Sequence, residues 1–226
     1  MASKKWWASA VIPIIVVVDI LVLLPFIIQP SMQEMVPTNL AAFFNTFDQN
    51  HDNKINITEA ETFYRWCKVH IQYRYDDENQ ANPVHGITVG DGRPGVDYWQ
   101  KPIETYDERL GDCEDMAIFS VAFYRHFNVS AYMVTVNAES AEVDHAACAV
   151  NIGTDNQDVQ EVADHLGGFV YYQRDDGFYM LVDLAYANRL GQAGSNPTQT
   201  SQLLEENRFI AQDWITLEQA YKMSEA

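Results

Sequence analysis

Residues 98–127 read YWQKPIETYDERLGDCEDMAIFSVAFYRHF, and the helix predicted to begin in this stretch sets the architecture of the chain. Asp112 is a residue type that favours the N-cap, so we predict a helix that begins at Cys113. Cys113 then lies in the first turn, where the helix dipole and unpaired amide groups lower the pKa of a thiol. The buried face predicted for this helix comprises Met116, Ala117, Ser120, Val121 and Tyr124.

The residues after this helix alternate in the manner of β-strands. Four such stretches are Ser130–Asn137, Asp144–Ile152, Gly168–Arg174 and Gly177–Ala185, with a polar loop between the second and the third. His145 stands near the start of the second stretch and Asp183 in the fourth. The order Cys, His, Asp suits a mechanism in which His145 deprotonates Cys113 while Asp183 orients the imidazole.

Four short motifs resemble those of the transglutaminase-like cysteine proteinases, a superfamily with a papain-like thiol fold. The letters WQKPIET at 99–105 and GDCEDMA at 111–117 resemble the motif around the nucleophile of that family. The letters DHA at 144–146 and LVD at 181–183 resemble its histidine and aspartate strands. The resemblance extends over residues 98–187 and implies an α+β fold, in which the nucleophile helix packs on an antiparallel sheet.

The resemblance also implies the roles of individual residues. Cys113 is expected to be the nucleophile, His145 the general base and then the acid, and Asp183 the orienting carboxylate. The backbone amide of Cys113, with the side chain of Trp99 or Gln100, is expected to form the oxyanion hole. His165 and His126 match no motif of the family.

Residues 48–59 read DQNHDNKINITE and resemble the calcium loop of an EF-hand. The predicted calcium ligands are Asp48, Asn50, Asp52, the carbonyl of Lys54, and Glu59. Loop position 6 is Asn53 where the EF-hand family has Gly, and Asn is the next most tolerant residue for a positive φ. Apolar residues recur with helical spacing on both sides, so we predict an EF-hand-like helix-loop-helix over residues 36–72. Single loops of this kind favour a structural Ca²⁺, and the alternative is a solvated turn that binds no metal.

The run WWASAVIPIIVVVDILVLLPFII at residues 6–28 is long enough to cross a membrane as a helix. Lys4 and Lys5 precede it, which by the positive-inside bias predicts a cytoplasmic N-terminus and an extracytoplasmic main domain. A cleavable secretory signal is the alternative, although its apolar region is usually shorter. Asp19 lies within the run and indicates a partner transmembrane helix, or a single carboxylic acid tolerated in its neutral form.

The composition excludes one class of partner. The formal net charge is −18, from 14 Lys and Arg against 32 Asp and Glu, so a nucleic-acid partner is not expected. The three cysteines, Cys67, Cys113 and Cys148, are an odd count, so that at least one thiol stays free. No pattern indicates an organic cofactor.

Together these patterns predict a membrane anchor at residues 1–30, the helix-loop-helix, and a transglutaminase-like domain at residues 73–226. The predicted function is that of a thiol hydrolase or acyltransferase that acts on amide bonds in peptide or cell-envelope substrates. The alternative is a non-catalytic, calcium-binding accessory subunit of a membrane complex that retains the fold.

Overall fold

The computed structural model describes residues 31–86, 97–138 and 144–224. None of the helices in these ranges is long and apolar enough to cross a membrane. The predicted anchor at residues 6–28 and the predicted partner contact of Asp19 lie outside the described residues.

The described chain alternates helices with short strands. The helices are α1 (Met32–Met35), α2 (Thr38–Phe44), α3 (Ile57–His70), α4 (Pro102–Glu108), α5 (Cys113–His126), α6 (Asn156–Leu166), α7 (Pro197–Glu205) and α8 (Leu217–Met223). The strands are β1 (Gln72–Tyr73), β2 (Leu110–Gly111), β3 (Ala131–Val136), β4 (His145–Gly153), β5 (Tyr171–Arg174), β6 (Gly177–Val182) and β7 (Trp214–Ile215).

Helix α5 begins at Cys113, as the position of Asp112 predicts. Its side chains from Glu114 to Tyr124 are all buried, so the helix is enclosed on every side rather than on one face. Ser120 is accommodated in this interior because its hydroxyl donates to the carbonyl of Met116 at 2.9 Å. The helix is therefore a central element of the fold.

Five antiparallel strands form the main sheet, in the order β5-β6-β4-β3-β7. The four predicted strands are confirmed, with bounds that differ by a few residues at their ends. The sheet curls strongly, because Trp214 of β7 lies 5.7 Å from Tyr172 of β5 between ring centroids although three strands separate them. The α+β architecture is thus confirmed.

Two apolar cores lie on opposite faces of this sheet. The first packs α5 against one face of the sheet and against α2 and α3. At its centre, the rings of Phe63 and Phe123 stack with centroids 3.7 Å apart and an interplanar angle of 2°. The second core fills the inside of the curl, where Val134, Ala149 and Leu181 are fully buried.

In the segment predicted as an EF-hand-like helix-loop-helix, residues 36–72, the chain forms α2, a short 3₁₀ turn at Asn45–Phe47, a loop and α3. Helix α3 starts with a capping box in which Asn56 and Glu59 satisfy each other's backbone amides. Asn53 has φ 58°, the left-handed conformation that its position in the loop requires.

Two regions of the chain differ from the expectations. The polar loop predicted between β4 and β5 contains helix α6, because Asp155 caps its first amides and Gly167 ends it in a left-handed conformation. Of the loop between Asp76 and Asp97, residues 76–86 form a series of turns, and residues 87–96 lie outside the described part. A capping box of Thr216 and Gln219 begins α8.

We predict that the stacked ring of Phe63 is a major source of stability. Phe63→Ala is expected to lower the free energy of unfolding by about 3–5 kcal/mol, because a fully buried ring is lost and a cavity remains. Val69 on the same helix is 77% exposed, so Val69→Ala should change it by less than about 0.5 kcal/mol. Urea denaturation of both variants measures the difference, and equal losses would contradict the central role of the stack.

Candidate active site

Cys113 lies at the junction of helix α5 and strand β4. Its thiol donates a hydrogen bond to Glu114 Oε2 at 3.2 Å, and its sulfur accepts one from the backbone N–H of Ala146. Ala146 follows His145 on β4, so the thiol is adjacent to the histidine strand. The family motifs at 111–117 and 144–146 therefore meet in space.

The acidity of this thiol is opposite to the expectation from the helix start. Burial, together with the charges of Glu114 and Asp112, raises the pKa of Cys113 above its ordinary value. The sequence analysis considered the helix dipole alone, and the two flanking carboxylates and the burial outweigh it. A thiolate at Cys113 therefore needs a compensating positive charge.

His145 and Asp183 come together at the ends of neighbouring strands. The distance from His145 Nε2 to Asp183 Oδ1 is 3.2 Å, and both side chains are 1% exposed. The two atoms are not aligned as a hydrogen bond, and among the described residues Asp183 Oδ2 has no donor either.

Asp183 is held by contacts on both sides of its peptide unit. Its Oδ1 accepts from the backbone N–H groups of Ala185 and Tyr186, at 2.9 and 3.0 Å. Its carbonyl oxygen lies 3.0 Å from the hydroxyl of Tyr64, and Lys68 donates to the carbonyl of Leu184 at 2.8 Å. Helix α3 of the helix-loop-helix therefore fixes the segment that carries the aspartate.

Two aromatic rings pack edge-on against the imidazole of His145. The centroid of Tyr186 lies 4.6 Å from that of the imidazole, and the centroid of Phe209 lies 5.9 Å from it. Phe209 is buried and comes from the segment between α7 and β7. The imidazole is thus confined to one plane by residues that carry no family motif.

The side chains predicted for the oxyanion hole already have internal partners. The indole N–H of Trp99 donates to Asp97 Oδ2 at 2.8 Å. The amide of Gln100 is buried, where its Nε2 donates to Asn82 at 3.2 Å and its Oε1 accepts from Thr105 at 3.3 Å. The second N–H of the Gln100 amide is the one that remains for an oxyanion.

Four carboxylates cluster at the start of helix α5, where two of them flank Cys113. Oxygen atoms of Asp76, Asp97, Asp112 and Glu114 all lie within 4.8 Å of one another. Asp112 Oδ1 and Glu114 Oε1 are buried and have no hydrogen-bond donor among the described residues. A group of carboxylate oxygens at this spacing, with buried lone pairs unused, could hold a hard divalent cation such as Ca²⁺.

Burial and close spacing raise the pKa of three of these carboxyl groups. Burial and the charge of Asp115 raise the pKa of Asp112 to about 8, and burial raises the pKa of Asp76 to about 6. Burial and the charge of Asp112 raise the pKa of Glu114 well above its usual range. The cluster therefore favours either bound protons or a bound cation.

The ligands predicted in the loop 48–59 bind the loop's own backbone. Asp48 accepts from the amides of Asp52 and Asn53, at 3.2 and 2.9 Å. Glu59 accepts from the amides of Gln49 and Asn56, at 2.9 and 3.0 Å. Calcium binding in this loop stays a prediction.

A family model described as the transglutaminase-like domain matches residues 44–156, which are 113 of the 226 residues. The chain belongs to this family. The match includes Cys113, His145 and helix α3 of the helix-loop-helix. Asp183 lies beyond it, so the place of Asp183 in the transglutaminase-like site rests on the geometry described above.

Solved structures with low sequence identity are also similar to this transglutaminase-like chain. A proposed cysteine protease from Cytophaga hutchinsonii is 16% identical, with 74% of this chain and 43% of that chain covered and a TM-score of 0.38. LapG from Legionella pneumophila is 15% identical, with 72% and 75% covered and a TM-score of 0.41. The chain thus spans less than half of the Cytophaga protein. Among curated protein sequences, none matches this chain.

Several residues of the candidate site could not be assigned from the sequence. Asp76 and Asp97 border a stretch rich in Gly, Pro and Asp, and no local pattern distinguishes them from solvated loop acids. Asp112 and Glu114 belong to the motif GDCEDMA, and their placement on either side of one thiol was the available signal of a carboxylate cluster. Phe209 offered no signal, because its contact with His145 depends on the path of the C-terminal segment.

We predict that Asp115 holds the start of α5 in place. Its Oδ1 accepts from the amide of Gln100 at 2.7 Å and its Oδ2 from that of Asp112 at 3.3 Å. Asp115→Ala should lower the free energy of unfolding by about 3 kcal/mol, because two buried amides lose their acceptor. Urea denaturation measures the change, with Asp107→Ala on the exposed side of α4 as the control. Equal stability of the Asp115 variant and the unaltered protein would contradict this role.

Proposed function

We propose that this chain is a membrane-anchored thiol hydrolase or acyltransferase that cleaves amide bonds in peptide or cell-envelope substrates. Cys113 is the nucleophile, His145 the general base and then the acid, and Asp183 the group that orients the imidazole. The anchor is the apolar run at residues 6–28, with the N-terminus in the cytoplasm and the catalytic domain on the other side.

The observation that carries this proposal is the buried pair of His145 and Asp183, with His145 on the strand whose Ala146 donates its backbone N–H to the sulfur of Cys113. A histidine and an aspartate at 3.2 Å, both 1% exposed, are rare unless the pair has a role, because burying either group alone is costly. Asp183 approaches Nε2, so the proposal assigns proton exchange with the thiol to the other ring nitrogen, Nδ1.

The reaction that this arrangement supports proceeds through a thioester. His145 takes the proton of Cys113, and the sulfur attacks the carbonyl carbon of the amide to form a tetrahedral intermediate. The C–N bond then breaks, and His145 returns the proton to the leaving amine. Water or a second amine attacks the thioester, which releases the acyl group and restores the thiol.

The charge that develops on the carbonyl oxygen needs donors at the helix start. The backbone N–H of Cys113 and the remaining N–H of Gln100 are the donors that we propose for the oxyanion. Gln100 is well suited to a fixed position, because Asn82 and Thr105 already orient its amide. Trp99 is the alternative donor if its bond to Asp97 is exchanged.

A divalent cation in the cluster of Asp76, Asp97, Asp112 and Glu114 would complete the site. Four carboxylates within 4.8 Å repel one another and repel a thiolate, and a bound Ca²⁺ would reverse both effects. The loop at residues 48–59 is a second proposed Ca²⁺ site, with a structural role in holding α2 and α3.

We predict that Cys113 is alkylated by iodoacetamide at neutral pH and that His145→Ala slows this alkylation at least about tenfold. The physical reason is that loss of the imidazole removes the group that accepts the thiol proton. The rate is measured by mass spectrometry of the Cys113 peptide from the full chain in detergent. Cys67 and Cys148 are buried and serve as internal controls.

The matched control is His165→Ala, because His165 lies on α6 and contacts Glu61 at 3.2 Å instead of the site. It should leave the rate unchanged. If Cys113 reacts no faster than a model thiol and the two histidine variants behave alike, the enzyme proposal is wrong. A chain recovered from membranes with stable partner subunits would then favour the accessory-subunit function.

We predict that Ca²⁺ raises the melting temperature of the full chain, because a ligand that binds the folded state stabilises it. At a Ca²⁺ concentration about 100 times the Kd, the stabilisation is about 2.7 kcal/mol per site. Differential scanning calorimetry with Ca²⁺ and with a chelator measures it.

Two variants separate the proposed sites. Glu114→Gln removes a charge from the cluster beside Cys113, and Asp52→Asn removes one from the loop at residues 48–59. Ca²⁺ bound in the cluster should also speed the alkylation of Cys113, because it offsets the carboxylate charge beside the thiol. We expect this effect to be lost in Glu114→Gln and retained in Asp52→Asn. An unchanged melting temperature with Ca²⁺ in the unaltered protein would exclude both sites.

A further inference from the structure

A groove of about 440 Å³ is lined in part by Phe209, whose ring also packs against His145. Strand β5 forms one wall, and the segment from Leu204 to Ala211 forms the other. Its charged lining residues are two arginines, Arg174 and Arg208, and the described lining contains no carboxylate. A positive groove is notable in a chain with a formal net charge of −18.

Arg208 is an arginine of this groove without an ion-pair partner in the described part of the chain. Among the described residues its side chain has no hydrogen-bond acceptor and no carboxylate within ion-pair distance, and its Nη1 is buried. Arg174 is better compensated, since its Nε lies 3.4 Å from Asp176 and its guanidinium lies 4.4 Å from the ring centroid of Trp214. The uncompensated guanidinium of Arg208 is therefore the feature that calls for an anionic partner.

The wall that carries Arg208 is rigid. Phe209 has φ 57°, a conformation that is strained for a bulky aromatic residue. Asn137, next to β3, holds this segment: its carbonyl accepts from the amide of Phe209 at 2.9 Å, its Oδ1 from that of Ile210 at 3.0 Å, and its Nδ2 donates to the carbonyl of Asn207 at 2.8 Å. The groove is thus preformed in the folded chain.

The other wall offers backbone hydrogen-bonding groups. Strand β5 is at the end of the sheet order, and the amide of Leu181 donates to the carbonyl of Val170 at 3.0 Å. Because pairing alternates along an antiparallel strand, Tyr171 and Gln173 direct their N–H and C=O groups away from β6. Among the described residues, no backbone hydrogen bond meets them on that side. Exposed apolar side chains stand at the rim, namely Tyr171, Leu204 and Ile210.

We propose that this groove binds the substrate as an extended peptide that carries an acidic side chain, with the carboxylate at Arg208. The peptide pairs with the outer edge of β5, a mode of recognition that supplies affinity through the main chain and specificity through a side-chain pocket. Since Phe209 contacts both the groove and His145, the peptide enters next to the catalytic histidine. The proposal rests on the thiol-enzyme function, because it takes the occupant to be the substrate of Cys113.

A polyanion such as nucleic acid fits this groove less well than a single carboxylate does. The positive charge is confined to two side chains, and the surrounding protein is strongly acidic. An extended peptide with one or two acids places its charge in the groove and keeps the rest of its length neutral.

The test measures binding rather than turnover. The probe is a fluorescent, capped hexapeptide of alternating Glu and Ala, compared with its twin in which Gln replaces Glu. Fluorescence anisotropy is measured with the full chain in detergent, carrying Cys113→Ala so that no bond is cleaved. The Glu peptide should bind about three- to tenfold more tightly than the Gln peptide, and the preference should weaken with salt.

Arg208→Gln should abolish this preference, whereas Arg65→Gln should retain it, because Arg65 is an exposed arginine on α3. A second pair of variants serves as a control for misfolding. Ile210 is an exposed rim residue, so Ile210→Glu should weaken binding of the Glu peptide while Ile210→Gln should not. Equal binding of the two peptides, or equal loss with Arg65→Gln, overturns the proposal.

Two further outcomes have a defined meaning. If a short single-stranded oligonucleotide competes with the Glu peptide at equal charge concentration, the peptide assignment is wrong. A preference that depends on Arg208 supports the groove whether or not Cys113 reacts in the alkylation experiment. The two experiments can therefore reject the groove proposal and the thiol mechanism independently of each other.

Discussion

The stack of Phe63 on Phe123 joins the two halves of this molecule, and both sides of the candidate site rely on it. Phe123 belongs to the helix that begins at Cys113, and Phe63 belongs to the helix that carries Tyr64 and Lys68. Those two polar side chains hold the backbone around Asp183. One aromatic contact therefore fixes helix α5 relative to the segment around Asp183. Helix α3 shares its apolar core with helix α5.

Unfavourable interactions between negative charges around Cys113 are the second feature that shapes the candidate site. A helix start favours a thiolate, but burial and the flanking Asp112 and Glu114 disfavour it more strongly. Natural chains tolerate buried carboxylates at such density where protons or a cation offset the charge. The thiol, the carboxylate cluster and a divalent cation are thus one coupled unit in our proposal. The positive groove at Arg208 is the complementary feature, because it offers an acidic substrate a site away from these repelling charges.

Much of the fold followed from local patterns. Some features depend only on residues within one element, and these can be recognised in the sequence. They are the N-cap at Asp112, the alternation of residues 131–136 and the capping box at Thr216. Helix α6 was missed although its own signals were present, because Asp155 and Gly167 also suit a polar loop. The family motifs around Cys113 and His145 likewise depend on residues close together in sequence, and the match to the transglutaminase-like domain covers both.

Contacts between segments that are distant in sequence could not be predicted from these local patterns. Asp76 and Asp97 join Asp112 and Glu114 because the turns after β1 return to the start of α5, and no periodicity encodes that path. Phe209 reaches His145, and Arg208 reaches the edge of β5, because the sheet curls until its outer strands approach each other. The local signals in the sequence therefore predicted helix starts, strands and the order of Cys, His and Asp. The raised pKa of the thiol, the carboxylate cluster and the positive groove were decided by folding, since burial and charge–charge distances exist only once remote segments have packed.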